Sequence, residues 1–429
     1  MQAALPTENF DETAPLAGPE HKPRSVSETG VREVVLEDLA LKTLYASGPF
    51  SVIELSRRTR LSFEVANDLF SRMRGKLLCE VVGMVSNVPK IAITSQGRSR
   101  AVELLSQCQY YGAAPVSLSG YVEQVRKQSV RNVKVGPADV ERAFDHLVFE
   151  SKTLAQFGTA LNSGAPIFLY GPPGTGKTAA AESLSRVLAK DEVWIPFAIE
   201  VDGEIITVYD PVIHRPTTEP EHNNYDERWV RCQRPTVLVG GELTVEMLDL
   251  QYNPGTKFYV GPMQMKANNG LLIIDDLGRQ RIRPEELLNR WVVPLDRRIE
   301  FLTMAGGKKI EIPFEMLVVF ASNRNPMELM DPAFLRRIQT KIHIGPISSE
   351  QFSEIFRRVA ADHGIKADQA ILNSLISVIR DTLKQELIAC QPRDLVSQVC
   401  WAAQYEGRKP ELDKVSLMRA VDAYFLPKS

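Results

Sequence analysis

The chain has 429 residues, of which 44% are hydrophobic and 24% charged, and a net charge of −2. That balance belongs to soluble proteins with full apolar cores. It supplies no global attraction to nucleic acid or anionic membrane, so any basic surface must be local.

At about 150 residues per domain the length allows roughly three domains. The cysteines, at positions 79, 108, 232, 390 and 400, lack the spacing of a metal or redox pair. They predict reduced thiols in a cytosolic protein. No basic-then-apolar leader opens the sequence, and no apolar run approaches about 18 residues. A cytoplasmic protein without membrane insertion is expected.

Residues 1–33 are rich in Pro, Glu, Ser and Thr and predict a flexible tail. Helical periodicity then runs from Val35-Leu36 through Leu39, Leu41, Leu44 and Tyr45 to Ser47-Gly48-Pro49. A short helix around Ile53–Arg58 follows, and a third, N-capped by Ser62, sets Val65, Leu69, Phe70 and Met73 on one face. Two β-prone stretches, Leu77 to Val82 and Lys90 to Thr94, flank Ser86-Asn87, and a helix begins near Gln96. Three helices, a two-stranded wing and a closing helix predict a small winged helix-turn-helix domain over 34–110. Between residues 36 and 110 stand ten Lys/Arg and seven Asp/Glu. Glu64 and Asp68 share the would-be reading helix with Arg72 and Arg74, a poor complement to phosphates. Docking of protein and contact with duplex DNA through residues 35–110 both stay open. Residues 111–145 read as a linker, with an extended entry at Val135-Gly136-Pro137 and an amphipathic helix through Val140, Ala143, Phe144 and Leu147.

The apolar strand Ala165–Tyr170 leads straight into Gly171-Pro172-Pro173-Gly174-Thr175-Gly176-Lys177-Thr178, followed by the helix-forming run Ala179–Leu184. Glycines there let successive backbone N–H groups turn on phosphate oxygens, with the positive end of the new helix aimed at the same charge. In this pattern Lys177 reaches the β/γ-phosphates and Thr178 ligates Mg²⁺, so ATP and Mg²⁺ are the expected ligands. Gly270-Leu271-Leu272-Ile273-Ile274-Asp275-Asp276 is a continuous apolar run ending in two acids, suited to a central parallel strand. Carboxylates at its C-terminal end lie where ligands bind in open α/β sheets. Asp275 is then the Mg²⁺ residue, and Asp276 the group that orients or deprotonates water. A helix N-cap is the structural alternative for these acids.

With these motifs in order, residues 140–425 resemble the AAA+ ATPases, and more narrowly the MoxR-like branch that carries a pre-sensor hairpin. The resemblance implies a parallel α/β P-loop NTPase core over 146–346 and a helical lid over 347–429. Residues 261–276 resemble the approach to that branch's Walker B strand, followed by a helix through Glu285–Arg290 ending near Arg297-Arg298. Ile299–Thr303 and Lys309–Ile312 around Gly306-Gly307 read as a β-hairpin. The resemblance makes it the pre-sensor hairpin, with Leu302 and Met304 near a tip facing a central pore. Packing of those apolar residues downward is the alternative. Asn323, ending the strand Met316–Ser322, resembles sensor 1. Asp331–Ile338 resembles the arginine-finger helix, with Arg337 the matching finger and Arg336 beside it. Such a finger, supplied by a neighbouring subunit, is worth about 10³ to 10⁵ in rate. Arg393, in Gln391-Pro392-Arg393, resembles sensor 2; proline at a helix start has a purely structural reading as well.

The sequence departs from the family twice. Asp276 stands where members carry Glu, which implies slow hydrolysis. The stretch Val193 to Val239 is long, and predicts an extra β-hairpin about Asp202-Gly203 and a polar loop through His214, His222, Asn223 and Asn224, with no metal site. The resemblance implies a homo-oligomeric ring, hexameric by family habit, that hydrolyses ATP to remodel a protein partner, with the N-terminal domain as adaptor. The rival readings are a DNA-associated ATPase and a nucleotide switch with little hydrolysis.

Overall fold

The computed structural model describes residues 19–85, 87–217 and 224–425. The N-terminal part runs α1 (Glu33–Ser47), β1 (Phe50–Ser51), α2 (Val52–Thr59), α3 (Phe63–Gly75), β2 (Cys79–Val85), β3 (Val88–Ile93) and α4 (Ser95–Gln107). Side-chain caps set the helix starts: the Ser51, Ser62 and Thr94 hydroxyls accept from the N–H groups of Glu54, Val65 and Gly97. The strands form an antiparallel sheet in the order β1-β3-β2, and Leu36, Leu44, Leu55, Val65, Leu69, Met73 and Ile91 close one core.

The expected flexible tail is corrected over 19–33, while residues 1–18 lie outside the described residues. Val26 and Val31 are apolar enough to enter the N-terminal core. The Asp226 N–H bonds the Pro19 carbonyl, and Lys22 pairs with Glu227.

The expected linker over 111–145 is also corrected. β4 (Val116–Ser117) pairs with β7 (Ala198–Val201), and α5 (Leu118–Lys127) packs beneath. Val130 and the residues Val140, Ala143 and Phe144, in and just after α6 (Pro137–Ala143), enter the core under α7 (Ser151–Ser163). These segments are amphipathic, and burial of their apolar faces wins over freedom of the chain.

The central sheet is five-stranded and wholly parallel. Its members are β5 (Ile167–Tyr170), β10 (Thr236–Val239), β13 (Leu271–Ile274), β16 (Leu317–Ser322) and β17 (Thr340–His343), in the order β10-β13-β16-β5-β17. Alternate residues feed opposite cores. Phe168, Leu272, Ile274, Val318 and Phe320 pack toward α9 (Met263–Ala267), α10 (Pro284–Arg290) and α11 (Val292–Arg297). Ile167, Leu169, Leu271, Ile273, Val319 and Ala321 pack toward α7 and α8 (Lys177–Leu188). The registers Val239↔Ile274, Ile274↔Phe320 and Ser322↔Tyr170 bring the C-terminal ends of four strands onto one rim.

The long stretch after α8 builds a second sheet. β6 (Glu192–Pro196) pairs with β9 (Trp229–Gln233), while β7 and β8 (Glu204–Thr207) form the expected hairpin about Asp202-Gly203. With β11 (Gln251–Asn253) and β12 (Phe258–Val260), the order is β11-β12-β8-β7-β4. His214 is fully buried, its Nδ1 accepting from the Asp210 N–H and its Nε2 donating to the Lys266 carbonyl; His222 and Asn223 lie outside the described residues. The N-terminal part is fastened onto this second sheet. Arg228 and Asp226 form an ion pair with both side chains 1% exposed, and Arg228 Nη1 donates to the carbonyls of Thr29 and Pro115. Arg32 pairs with Glu200, Tyr110 packs edge-on against Phe258, and the Gln109 N–H bonds the Thr256 carbonyl.

β14 (Ile299–Thr303) and β15 (Lys309–Pro313) make the hairpin around Gly306-Gly307. Leu302 and Met304 are buried with Ile310, Ile312, Val193, Tyr121 and Met265 in the core of the second sheet. The pore-facing placement of these two residues is therefore corrected: alternation turns them inward and leaves Phe301, 50% exposed, on the outer face. Two one-turn helices, α12 (Pro326–Leu329) and α13 (Pro332–Leu335), precede β17. The C-terminal bundle comprises α14 (Ser349–Asp362), α15 (Gln369–Ser377), α16 (Gln391–Tyr405) and α17 (Lys414–Tyr424) about its own core. No described helix is long and apolar enough to cross a membrane.

Candidate functional site

The loop Gly171–Thr178 leaves the C-terminal end of β5 and turns into α8. Gly171 (φ 148°) passes so close to the Ile344 carbonyl that a Cβ there would overlap it. Gly176 (φ 95°) caps α8 in the left-handed region, which favours glycine. Inside the loop, the Thr175 hydroxyl donates to the Pro172 carbonyl at 2.9 Å. Lys177 is 6% exposed, and its Nζ donates to the carbonyls of Gly171 (3.0 Å) and Pro172 (2.7 Å). Burial pushes its amine pKa down, while Asp275 and Asp276 act to hold it up.

From the loop a continuous hydrogen-bonded row crosses the rim. The Thr178 hydroxyl donates to Asp275 Oδ2 at 2.6 Å, and the Asp276 N–H donates to Asp275 Oδ1 at 2.9 Å. Asn323 Nδ2 then donates to Asp276 Oδ1 at 2.9 Å, and Oδ2 of Asp276 has no hydrogen-bond partner among the described residues. Asp276 itself has φ 51°, in the left-handed region that aspartate tolerates better than most non-glycine residues. The turn is pinned from behind: the Leu277 N–H bonds the Ala321 carbonyl, Ser322 Oγ donates to the Leu277 carbonyl, and Gln280 Nε2 donates to the Asp275 carbonyl. Acids at a strand end pointed to Asp275 and Asp276 and the family resemblance to Asn323; neither pointed to Ser322 or Gln280, whose roles have no periodic signal.

Beside Thr175 and Gly176 opens a cavity of about 410 Å³ walled by Leu147, Val148, Phe149, Ile347, Ile355 and Val359, with His146 and Arg358 at its edge. It lies between the segment before α7, the exit of β17 and helix α14. Of the run Leu147-Val148-Phe149 the sequence places only Leu147, on an amphipathic helix; Val148, Phe149 and the partners on α14 come only with the fold. The glycine cradle fits a phosphate chain and the cavity fits an apolar ring system. The adjoining oxygens of Thr178 and Asp275 suit a hard divalent cation.

The other site residues named from sequence stand apart. Arg393, on the first turn of α16, is largely exposed, and its polar partner among the described residues is Asp394. The C-terminal bundle instead meets the loop through Cys390, whose N–H donates to the Gly174 carbonyl at 3.0 Å. Arg337 Nε donates to Asp296 at 2.8 Å and its Nη1 to the Ala333 carbonyl, whereas Arg336 is exposed without such a partner among the described residues. Both arginines precede β17, at the opposite end of the sheet from the loop.

A parallel sheet ordered β10-β13-β16-β5-β17, with a glycine loop between β5 and α8 and acids ending β13, decides the architecture. The fold is an α/β P-loop NTPase fold. Residues 348–423, which span α14 to α17 up to Ala423, match the family model DUF8689, a domain of unknown function. No curated protein matches the chain. Among solved structures, NtrX from Brucella abortus, crystallised in complex with ADP, superposes with a TM-score of 0.40 at 15% identity, over 67% of this chain and 58% of that one. A mutant of RuvB from Thermotoga maritima gives a TM-score of 0.37 at 13% identity, over 69% of this chain and 72% of that one. The aligned part thus spans little more than half of the NtrX chain, and the fold assignment rests on this chain's own sheet and loop.

Proposed function

We propose that this protein is an AAA+ ATPase, of MoxR-like organisation, that binds and hydrolyses ATP with Mg²⁺ in a ring assembly, most simply a hexamer, to remodel a protein partner. The observation that carries the reading is the unbroken row Thr178–Asp275–Asp276–Asn323, which runs from the phosphate loop across adjacent strand ends. ATP supplies the phosphoanhydride to be cleaved; Thr178 and Asp275 would hold Mg²⁺, which would supply neutralisation of the phosphate charge. Lys177 exchanges its bonds to the Gly171 and Pro172 carbonyls for phosphate oxygens. The apolar cavity takes the base. Asn323 fixes one oxygen of Asp276, and the other oxygen is free to take a proton from the attacking water. Arg336 and Arg337 lie too far along the sheet to serve their own loop and act on a neighbouring copy's nucleotide. Arg336 is the freer of the two and takes the finger role more readily than Arg337. Arg393 reaches the nucleotide only once the C-terminal bundle moves.

Protein docking by the N-terminal domain, read as a winged helix, is supported over duplex DNA binding by the ion pairs that hold several of its basic residues. Arg72 is held by Glu33 and Asp68, Lys76 by Glu37, and Arg58 by Glu54. The wing is apolar instead, with Val82, Met84 and Val85 at 51%, 62% and 49% exposure.

The test is steady-state ATP turnover and partner capture with Asp276→Ala, using Lys177→Ala as the control that cannot hold nucleotide. The reading requires Asp276→Ala to keep nucleotide, lose turnover and retain a partner. Equal turnover in wild type and Asp276→Ala points to the second reading, a nucleotide switch, which the short Asp276 side chain favours.

A further inference from the structure

We infer that the cavity at the N-terminal ends of β5 and β17 is a polyphosphate site, and that Arg131 contacts phosphate there beside Arg336. This rests on the ATPase reading for the source of its ligand, but the cavity's chemistry stands by itself. About 440 Å³ in volume, it is lined by four arginines, Arg131, Arg298, Arg336 and Arg337, against one carboxylate, Asp296. Asp296 is committed to Arg337. Among the described residues Arg131 and Arg336 have no carboxylate within ion-pair distance, so two guanidinium charges share one concave space with no acid paired to them, while Arg298 faces Glu315.

The arrangement is built rather than incidental. Arg298 is fixed by the Gly164 carbonyl (2.5 Å) and the Met316 carbonyl (3.3 Å). Glu315, the acid facing Arg298 from behind, accepts from Ser129. Arg131 runs across Gly164, which has φ 59°, and a Cβ at that position would stand 2.6 Å from Arg131 Cγ. Glycine thus both completes the turn after α7 and opens the path by which Arg131 enters the cavity. Guanidinium forks bind phosphate oxygens in pairs, and two arginines left without a carboxylate, Arg131 and Arg336, suit a chain of phosphates better than a single carboxylate.

Position decides where that phosphate comes from. Ala165 and Pro166 line the cavity, whereas the phosphate loop leaves the other end of the same strand after Tyr170. Four strand residues at about 3.3 Å each separate the two, beyond what an arginine side chain spans. A molecule's own nucleotide therefore cannot fill this site. The ligand is either the triphosphate held on another copy's loop or a free polyphosphate.

The experiment uses full-length variants. Arg131→Ala is expected to lower ATP turnover about tenfold, and Arg131→Lys, which keeps the charge, to recover part of it. Equimolar Arg131→Ala and Lys177→Ala are then mixed. Turnover above the sum of the two alone assigns the ligand to a neighbouring copy, because each variant supplies what the other lacks. Tripolyphosphate binding to Lys177→Ala, measured by calorimetry and lost in the Arg131→Ala, Lys177→Ala double variant, assigns it to a free anion. If Arg131→Ala turns over normally and tripolyphosphate binding is absent or indifferent to it, the inference is overturned. Arg336→Ala mixed with Lys177→Ala separates the two levels: complementation there, without complementation by Arg131→Ala, removes Arg131 and keeps the ring ATPase. Failure of both mixtures, with full turnover by monomers, removes the ring ATPase itself.

Discussion

Replacing Arg228 by alanine should loosen the N-terminal domain from the rest of the molecule. Arg228 Nε donates to both oxygens of Asp226 at 3.0 and 3.1 Å, its Nη2 to Oδ2 at 2.7 Å, and its Nη1 to the carbonyls of Thr29 (2.9 Å) and Pro115 (3.0 Å). The alanine variant leaves a carboxylate and two carbonyls facing a dry space. Breaking a buried pair from one side costs about 3–5 kcal/mol. At about 1.4 kcal/mol per factor of ten, local opening becomes roughly two to four orders of magnitude more frequent. Hydrogen exchange over residues 26–31 and 113–117 reads that opening directly, and Trp229, 2% exposed beside the pair, reports it by fluorescence. Removing both charges, as Asp226→Leu with Arg228→Met, should recover most of the loss, since neither partner is then stranded. Exchange accelerated less than tenfold in Arg228→Ala, or a double variant no tighter than the single one, would refute this account of the junction.

Glu300 gives a pH signature. Burial, opposed chiefly by Arg290, raises its carboxyl pKa from 4.5 to about 7. The native state therefore binds a proton that the unfolded chain has released between those values, and stability should fall as pH rises from 4.5 to 7, by on the order of 3 kcal/mol, then level off. Urea midpoints at pH 5 and pH 8 should differ less in Glu300→Gln than in wild type. Asn323→Ala should cut kcat about a hundredfold with KM little changed, because the orientation of Asp276 is lost while the loop is intact; stopped-flow phosphate release measures it. Gly171→Ala should abolish nucleotide binding in a fluorescent-nucleotide titration, since the added Cβ meets the Ile344 carbonyl, which is backbone and cannot swing away.

The phosphate loop could be read from sequence because its chemistry is consecutive: eight residues, one strand before and one helix after. Asp275 and Asp276 were readable for a related reason, since an apolar run marks a buried strand and acids at its C-terminal end lie on the rim, whereas Asn323 was named through the family resemblance. What sequence hid depends on long-range pairing. Val116 pairs with Ile199 and Gln109 bonds Thr256, contacts that no local pattern announces, so the second sheet and the docking of the N-terminal domain were missed. Hairpin alternation showed that Leu302 and Met304 share a face, but not which face the rest of the molecule would cover. Arg131 carried no signal at all in the mixed run Ser129–Val135 until Gly164 and Arg298 are placed beside it.

The hairpin β14–β15 shares one close-packed interior with α5, β7, β8 and β9, and Arg228 locks the N-terminal domain to that same block. Interiors packed to this density transmit displacement with little give. A displacement within this block is therefore carried through it rather than absorbed at a supple hairpin tip. It reaches the N-terminal part through the buried Arg228 contacts to the Thr29 and Pro115 carbonyls.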